Sequence, residues 1–168
     1  TETDFEEDSF SQYYSSDAPR KRESKKPAFQ LKGEKLRQED MSITEVCIPV
    51  KEIHSRAKAS GVSITVFLTA ALIWAIHEEV PQNQLKKPIG LMIPVNLRNY
   101  FPSQSMANFF GWIEVGYTFT DETTFKDILE SVKEQFKKEL SRDVIAAKLN
   151  DLVSLEKNPV LRLVPLEI

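Results

Sequence analysis

Lys87–Trp112, KPIGLMIPVNLRNYFPSQSMANFFGW, is the stretch whose reading decides the fold. Ile89, Leu91, Met92, Ile93 and Val95 form a short apolar run framed by Pro88 and Pro94, which predicts a strand covered on both faces. At its end Asn96 and Arg98 leave the core together. A second strand-like run, Phe109 to Phe119, begins directly after Asn108. Strand, polar exit, proline-containing crossing loop, asparagine, strand is an arrangement that lines a crevice.

Upstream, Ala28 to Lys32 and Ile43 to Pro49 read as two further strands, the second with Pro49 near its end and so at an edge. Lys51 to Ser60 reads as a short helix with Ile53 and Ala57 on one face, stopped by Gly61, where positive φ is cheap. Ser63 is the expected N-cap of the next helix, which runs to about Glu79 and ends before Pro81. That helix is apolar almost all round, from Ile64 through Leu68 and Leu72 to Ile76, so it is expected to be buried between other elements. At 15 residues, the apolar stretch Val62 to Ile76 is shorter than the roughly 20 that span a bilayer.

Downstream, Thr124 followed three residues later by Asp127 resembles a capping box. Phe125, Ile128, Leu129, Val132, Phe136 and Leu140 then recur at helical spacing opposite a charged face. This amphipathic helix is expected to cover a sheet and to continue to about Leu152, with a break near Ser141. Together the elements predict an α/β fold, a two-layer sandwich with a mixed β-sheet covered by helices.

The first 27 residues differ in kind. Five acidic residues fall within the first eight, and the segment ends in Arg20-Lys21-Arg22-Glu23-Ser24-Lys25-Lys26-Pro27. It carries too little apolar surface to offset its ordering entropy, which predicts a flexible charged linker over 1–27 and a folded domain over 28–168. The basic run allows a regulatory reading, with nucleic acid as partner. Against it, no aromatic residue interleaves the basic ones, and the whole chain, with 22 basic and 25 acidic residues, has a net charge of only −3. No nucleic acid partner is therefore expected.

Cys47 is the single cysteine, so an internal disulfide is excluded, and no Cys/His cluster with zinc-ligand spacing is present. In Val46-Cys47-Ile48 it reads as a small buried apolar residue, and a reducing, cytoplasmic setting is the expectation. Of the two histidines, His54 and His77, the first has no Asp or Glu at a spacing diagnostic of a triad. His54 reads as a surface residue and His77 as a residue of the helix end, where an imidazolium is favoured by the dipole.

Pro94-Val95-Asn96-Leu97-Arg98, followed ten residues later by Asn108-Phe109-Phe110-Gly111, resembles the "PVNLR" and "NF.G" elements of the chloramphenicol acetyltransferase-like superfamily, in particular its alcohol O-acetyltransferase-like and condensation-domain relatives. Gly61-Val62-Ser63-Ile64-Thr65 and the helix after it are similar to that family's "GVS.T..L.AA" helix start. The resemblance spans roughly residues 28 to 165. It implies two such sandwiches side by side with a substrate tunnel between them, of which this chain is most of one. It also implies acyl-coenzyme A as cosubstrate and an alcohol or amine as acceptor.

The family's chemistry rests on an HHxxxDG motif that this sequence lacks, so no catalytic residue is assigned, and no metal ligand. The expectation is a piece of a longer acyltransferase, inactive alone, that carries scaffold and tunnel wall. The apolar end Val160 to Leu166 fits that expectation, and self-association is expected of such a piece. The alternative is a non-catalytic binding domain that retains the fold. Asn96, Arg98 and Asn108 are the candidate substrate-binding residues. The guanidinium of Arg98 suits a carboxylate or phosphate, or equally the backbone carbonyls of the crossing loop. Asn96 and Asn108 suit orienting a substrate or holding two loop strands together.

Overall fold

A computed structural model of the chain describes residues 8–15, 26–33, 37 and 41–158. In order these give helices α1 (Ser9–Gln12), α2 (Val50–Ala59) and α3 (Ile64–Glu78), strands β1 (Ile89–Asn96) and β2 (Phe110–Tyr117), and helices α4 (Phe125–Glu139) and α5 (Arg142–Glu156). Single 3-10 turns lie at Gln82–Gln84 and Leu97–Asn99. The chain divides into two compact units. One holds Thr1–Ser24, Met92–Glu114 and Lys137–Ile168, the other Lys25–Leu91 and Val115–Phe136.

In the second unit the local signals of the sequence act as expected. Gly61 follows α2 with φ of 67°, and Ser63 Oγ accepts from Val66 N at 3.2 Å to start α3. Thr124 and Asp127 form a reciprocal cap, with Thr124 N donating to Asp127 Oδ2 at 2.8 Å and Asp127 N to Thr124 Oγ1 at 3.3 Å. Accepting from the Thr124 hydroxyl at 2.6 Å, and from the Thr124 N–H, holds the Asp127 carboxyl below the usual carboxylate range. Helix α3 buries Val66, Ala70 and Ile73, and meets α4 through the edge-to-face pairs Phe67–Phe125 at 5.7 Å and Trp74–Phe125 at 6.2 Å. At its far end His77 lies flat on Phe119, ring centroids 3.7 Å apart.

The strands form an antiparallel pair, the whole sheet among the described residues, so the expected mixed sheet is corrected to a two-stranded one within an α/β arrangement. Leu97 N donates to Phe109 O at 3.2 Å, which sets Leu97 opposite Phe109. From that register the odd-numbered residues of β1 exchange bonds with β2. Pro94, with no N–H, therefore sits where the β1–β2 ladder loses nothing. Outward groups of β2 are met by side chains. The Gln135 amide brackets Gly116, accepting from its N at 2.9 Å and donating to its O at 2.8 Å, and Lys148 Nζ donates to Trp112 O at 3.5 Å.

Several expectations are overturned, for one recurring reason. Ile43–Pro49 forms no strand, and the apolar side chains of residues 41–50 stand 50% to 83% exposed, because no neighbouring strand among the described residues offers a ladder. Cys47, expected to be buried there, is exposed with them. Residues 28–32 form no strand either, although Phe29 N reaches Pro88 O at 2.8 Å beside β1. Strand β1 is covered on one face only, since Gly90, Met92, Pro94 and Asn96 are exposed. Helix α3, expected to be surrounded, leaves Leu68 and Leu72 exposed at 45% and 51%. The long C-terminal helix does break near Ser141, giving α4 and α5. The apolar end at Val160–Leu166 and the basic run at Arg20–Lys25 lie outside the described residues.

Candidate functional site

The residues singled out by sequence, Asn96, Arg98 and Asn108, all belong to the connection between β1 and β2 in the first unit. The chain leaves β1 at Asn96, whose Oδ1 accepts from Arg98 N at 3.0 Å and so caps the turn Leu97–Asn99. That turn directs the Leu97 side chain inward and the Arg98 side chain across the loop. Arg98 Nη2 then donates to two backbone carbonyls, Ser105 O at 2.7 Å and Ala107 O at 2.8 Å. Its guanidinium also stands over the Phe109 ring, 6.0 Å from the centroid. Of the roles the residue type allows, pinning the loop is therefore the one the geometry displays. Asn108 is exposed at the loop's end, next to buried Phe109.

Serines supply what Arg98 does not. Ser103 Oγ accepts from Ser105 N, and Ser105 Oγ from Ala107 N, both at 3.2 Å, so alternate loop residues fold the backbone onto their own side chains. Ser105 is buried. The sequence did carry this signal, Ser103-Gln104-Ser105 after a proline, but hydroxyls in a loop are too common for the spacing to single these out.

Beneath the loop lies an apolar cluster of Leu97, Phe101 and Phe109 from the hairpin with Ile145, Leu149 and Val153 from α5. A Cβ at Gly111, the glycine of the "NF.G" element, would lie 3.2 Å from Leu97 Cδ2, a tight contact with the side chain that turns inward here. A small cleft of about 20 Å³ opens beside it, walled by Val95, Leu97, Trp112 and the α5 residues Lys148 and Leu152. Lys148 is held by Glu139 at 2.6 Å, a part-buried ion pair that ties α5 to the end of α4.

The segment 8–15, expected to belong to a linker, is instead part of this unit. Asp8 caps α1, accepting from Phe10 N at 3.0 Å and Ser11 Oγ at 2.6 Å. Phe10 packs edge-to-face on Phe109 at 5.0 Å, Ser9 Oγ meets Ser103 Oγ at 2.6 Å, and the Tyr13 hydroxyl donates to Pro102 O. The Ser11 hydroxyl foremost, then the backbone amides, holds the Asp8 carboxyl below its usual range. Both histidines lie in the second unit, His54 exposed on α2 and His77 against Phe119. Among the described residues no three metal-ligating side chains converge, and no single helix is long and apolar enough to cross a membrane.

A strand hairpin whose joining loop is drawn tight by an arginine, backed by an amphipathic helix pair, defines an α/β domain with an acyltransferase-like sequence signature. Residues 49–164 match the family described as phthiocerol/phthiodiolone dimycocerosyl transferase C-terminus, and the chain belongs to it. It is a family of condensation-domain and chloramphenicol acetyltransferase-like acyltransferases. The match contains both the "PVNLR" and "NF.G" elements, while α1 and residues 41–48 fall outside it. No curated protein and no solved structure matches the chain.

Proposed function

We propose that this chain supplies scaffold and substrate-tunnel wall to a coenzyme A-dependent acyltransferase of the alcohol O-acetyltransferase-like type. Its sandwich would be most of one lobe of a chloramphenicol acetyltransferase-like fold. The observation that carries the reading is the family match over residues 49–164, which encloses the arginine-pinned loop. In this reading the acyl group passes from coenzyme A to an alcohol or amine by direct attack. The base that takes the acceptor's proton is a histidine outside this sequence, because an amide or guanidinium accepts no proton near neutral pH. Asn96 and Asn108 orient substrate at the tunnel wall, and Arg98 acts chiefly by holding the loop that presents Asn108. The bare apolar side chains of residues 41–50 support a further part of the reading, self-association of the isolated chain.

The test is acyl-coenzyme A turnover measured with this chain and with a longer gene product that contains an HHxxxDG segment. Turnover by the longer protein alone is expected, and turnover by the chain itself overturns the assignment of the base. A longer product that lacks adjacent histidines and activity would favour the non-catalytic binding domain. Sedimentation at two concentrations checks self-association, which a concentration-independent monomer would refute.

A further inference from the structure

We propose that residues 8–15 are a strap that sets the conformation of the β1–β2 loop, so that the N-terminal segment controls how Asn108 and the carbonyls gripped by Arg98 are presented. This goes beyond the acyltransferase reading and does not depend on it. The strap lies wholly before the family match at 49–164.

A four-residue helix has no stability of its own, since nucleation costs more than so few bonds return. Helix α1 must therefore be held by what it touches, and its contacts fall on two elements. On the loop side, Ser9 Oγ meets Ser103 Oγ at 2.6 Å, the Tyr13 hydroxyl donates to Pro102 O, and Phe10 packs on Phe109 at 5.0 Å. On the α5 side, Ser15 N donates to Asn150 Oδ1 at 2.7 Å and Lys157 Nζ stands 4.2 Å from the Tyr14 ring centroid. The loop is thereby tied to α5 through α1.

The hydroxyl that Ser9 engages is the same one that accepts from Ser105 N. Detaching the strap thus removes the partner that fixes the Ser103 rotamer, and the loop's own bonds loosen next. Arg98 would remain on Ser105 O and Ala107 O, so the loop becomes mobile without unfolding its core.

The test is hydrogen exchange on the full chain at the amides of Ser105 and Ala107, compared with those of Leu149 and Val153 in α5 and Phe67 in α3. In Phe10→Ala, and in Ser9→Ala, exchange at the two loop amides should rise about tenfold, the scale of one lost aromatic pair or buried hydroxyl bond, with α5 and α3 unchanged. Tyr13→Phe keeps the ring and loses only the hydroxyl, and should give a smaller rise at the same two amides, which decides the matter if Phe10→Ala fails to fold. Unaltered loop amides would overturn the proposal. So would equal acceleration in α5, which would mark α1 as ordinary core.

Discussion

Residues 97–109 and residues 41–49 are both irregular stretches of comparable length, one in each unit, and their groups find opposite solutions. In 97–109 the backbone is bonded by nearby side chains, Asn96, Arg98, Ser103 and Ser105, and its aromatic residues Phe101 and Phe109 are buried. In 41–49 the apolar content is as high, yet Met41, Ile43, Val46 and Ile48 are exposed. A loop can be finished by its own hydroxyls and one guanidinium, whereas a strand-like segment is finished only by another backbone alongside it.

The contrast can be broken by mutation. The largest effect is expected from Phe109→Ala, which opens the cluster beneath the loop and removes the partner of Phe10. Denaturant unfolding of the first unit should show a loss of about 3–5 kcal/mol. Next comes Arg98→Ala, which frees the Ser105 and Ala107 carbonyls at a cost of about 2 kcal/mol. Limited proteolysis should then cut within 102–108, and Arg98→Lys should rescue in part, because a single nitrogen, Nη2, makes both bonds and an ammonium carries donors enough for two carbonyls.

A pH titration sharpens the same comparison with a smaller effect. The Asp8 carboxyl is held below its ordinary value of 3.8, chiefly by the Ser11 hydroxyl, so its contribution is complete above that value. As pH falls from there through the depressed value, the protonated acid ceases to cap α1. Loop amides should lose protection in that acid range, and Asp8→Asn should remove this part of the pH dependence. The smallest effect belongs to Ile48→Ser, which should change stability by less than about 0.5 kcal/mol, since its side chain is half exposed. A loss of several kcal/mol would show that 41–49 is packed after all.

Wherever a structural signal is local it was legible in the sequence. Ser63 and Thr124 start helices α3 and α4, Gly61 closes α2, and the proline-framed run becomes β1, because caps and turns involve residues three or four apart. The site was legible in part: "PVNLR" and "NF.G" marked the hairpin, but not that Arg98 would grip Ser105 and Ala107, seven and nine residues on. Nor could composition reveal that Phe10, Tyr13 and Tyr14, in a segment rich in acid and serine, carry enough aromatic surface to hold residues 8–15 against Phe101 and Phe109.

By itself, then, the sequence determined where α2, α3, β1, β2 and α4 begin, which residues leave β1 at its polar end, and the family to which the domain belongs. Only the tertiary structure decided which apolar faces are covered, that the strand-like run 43–49 finds no partner strand among the described residues, and that α1 lies on the loop. Apolar patterning records that a residue can be buried, while burial itself needs a second surface, and that surface comes from residues distant in the chain.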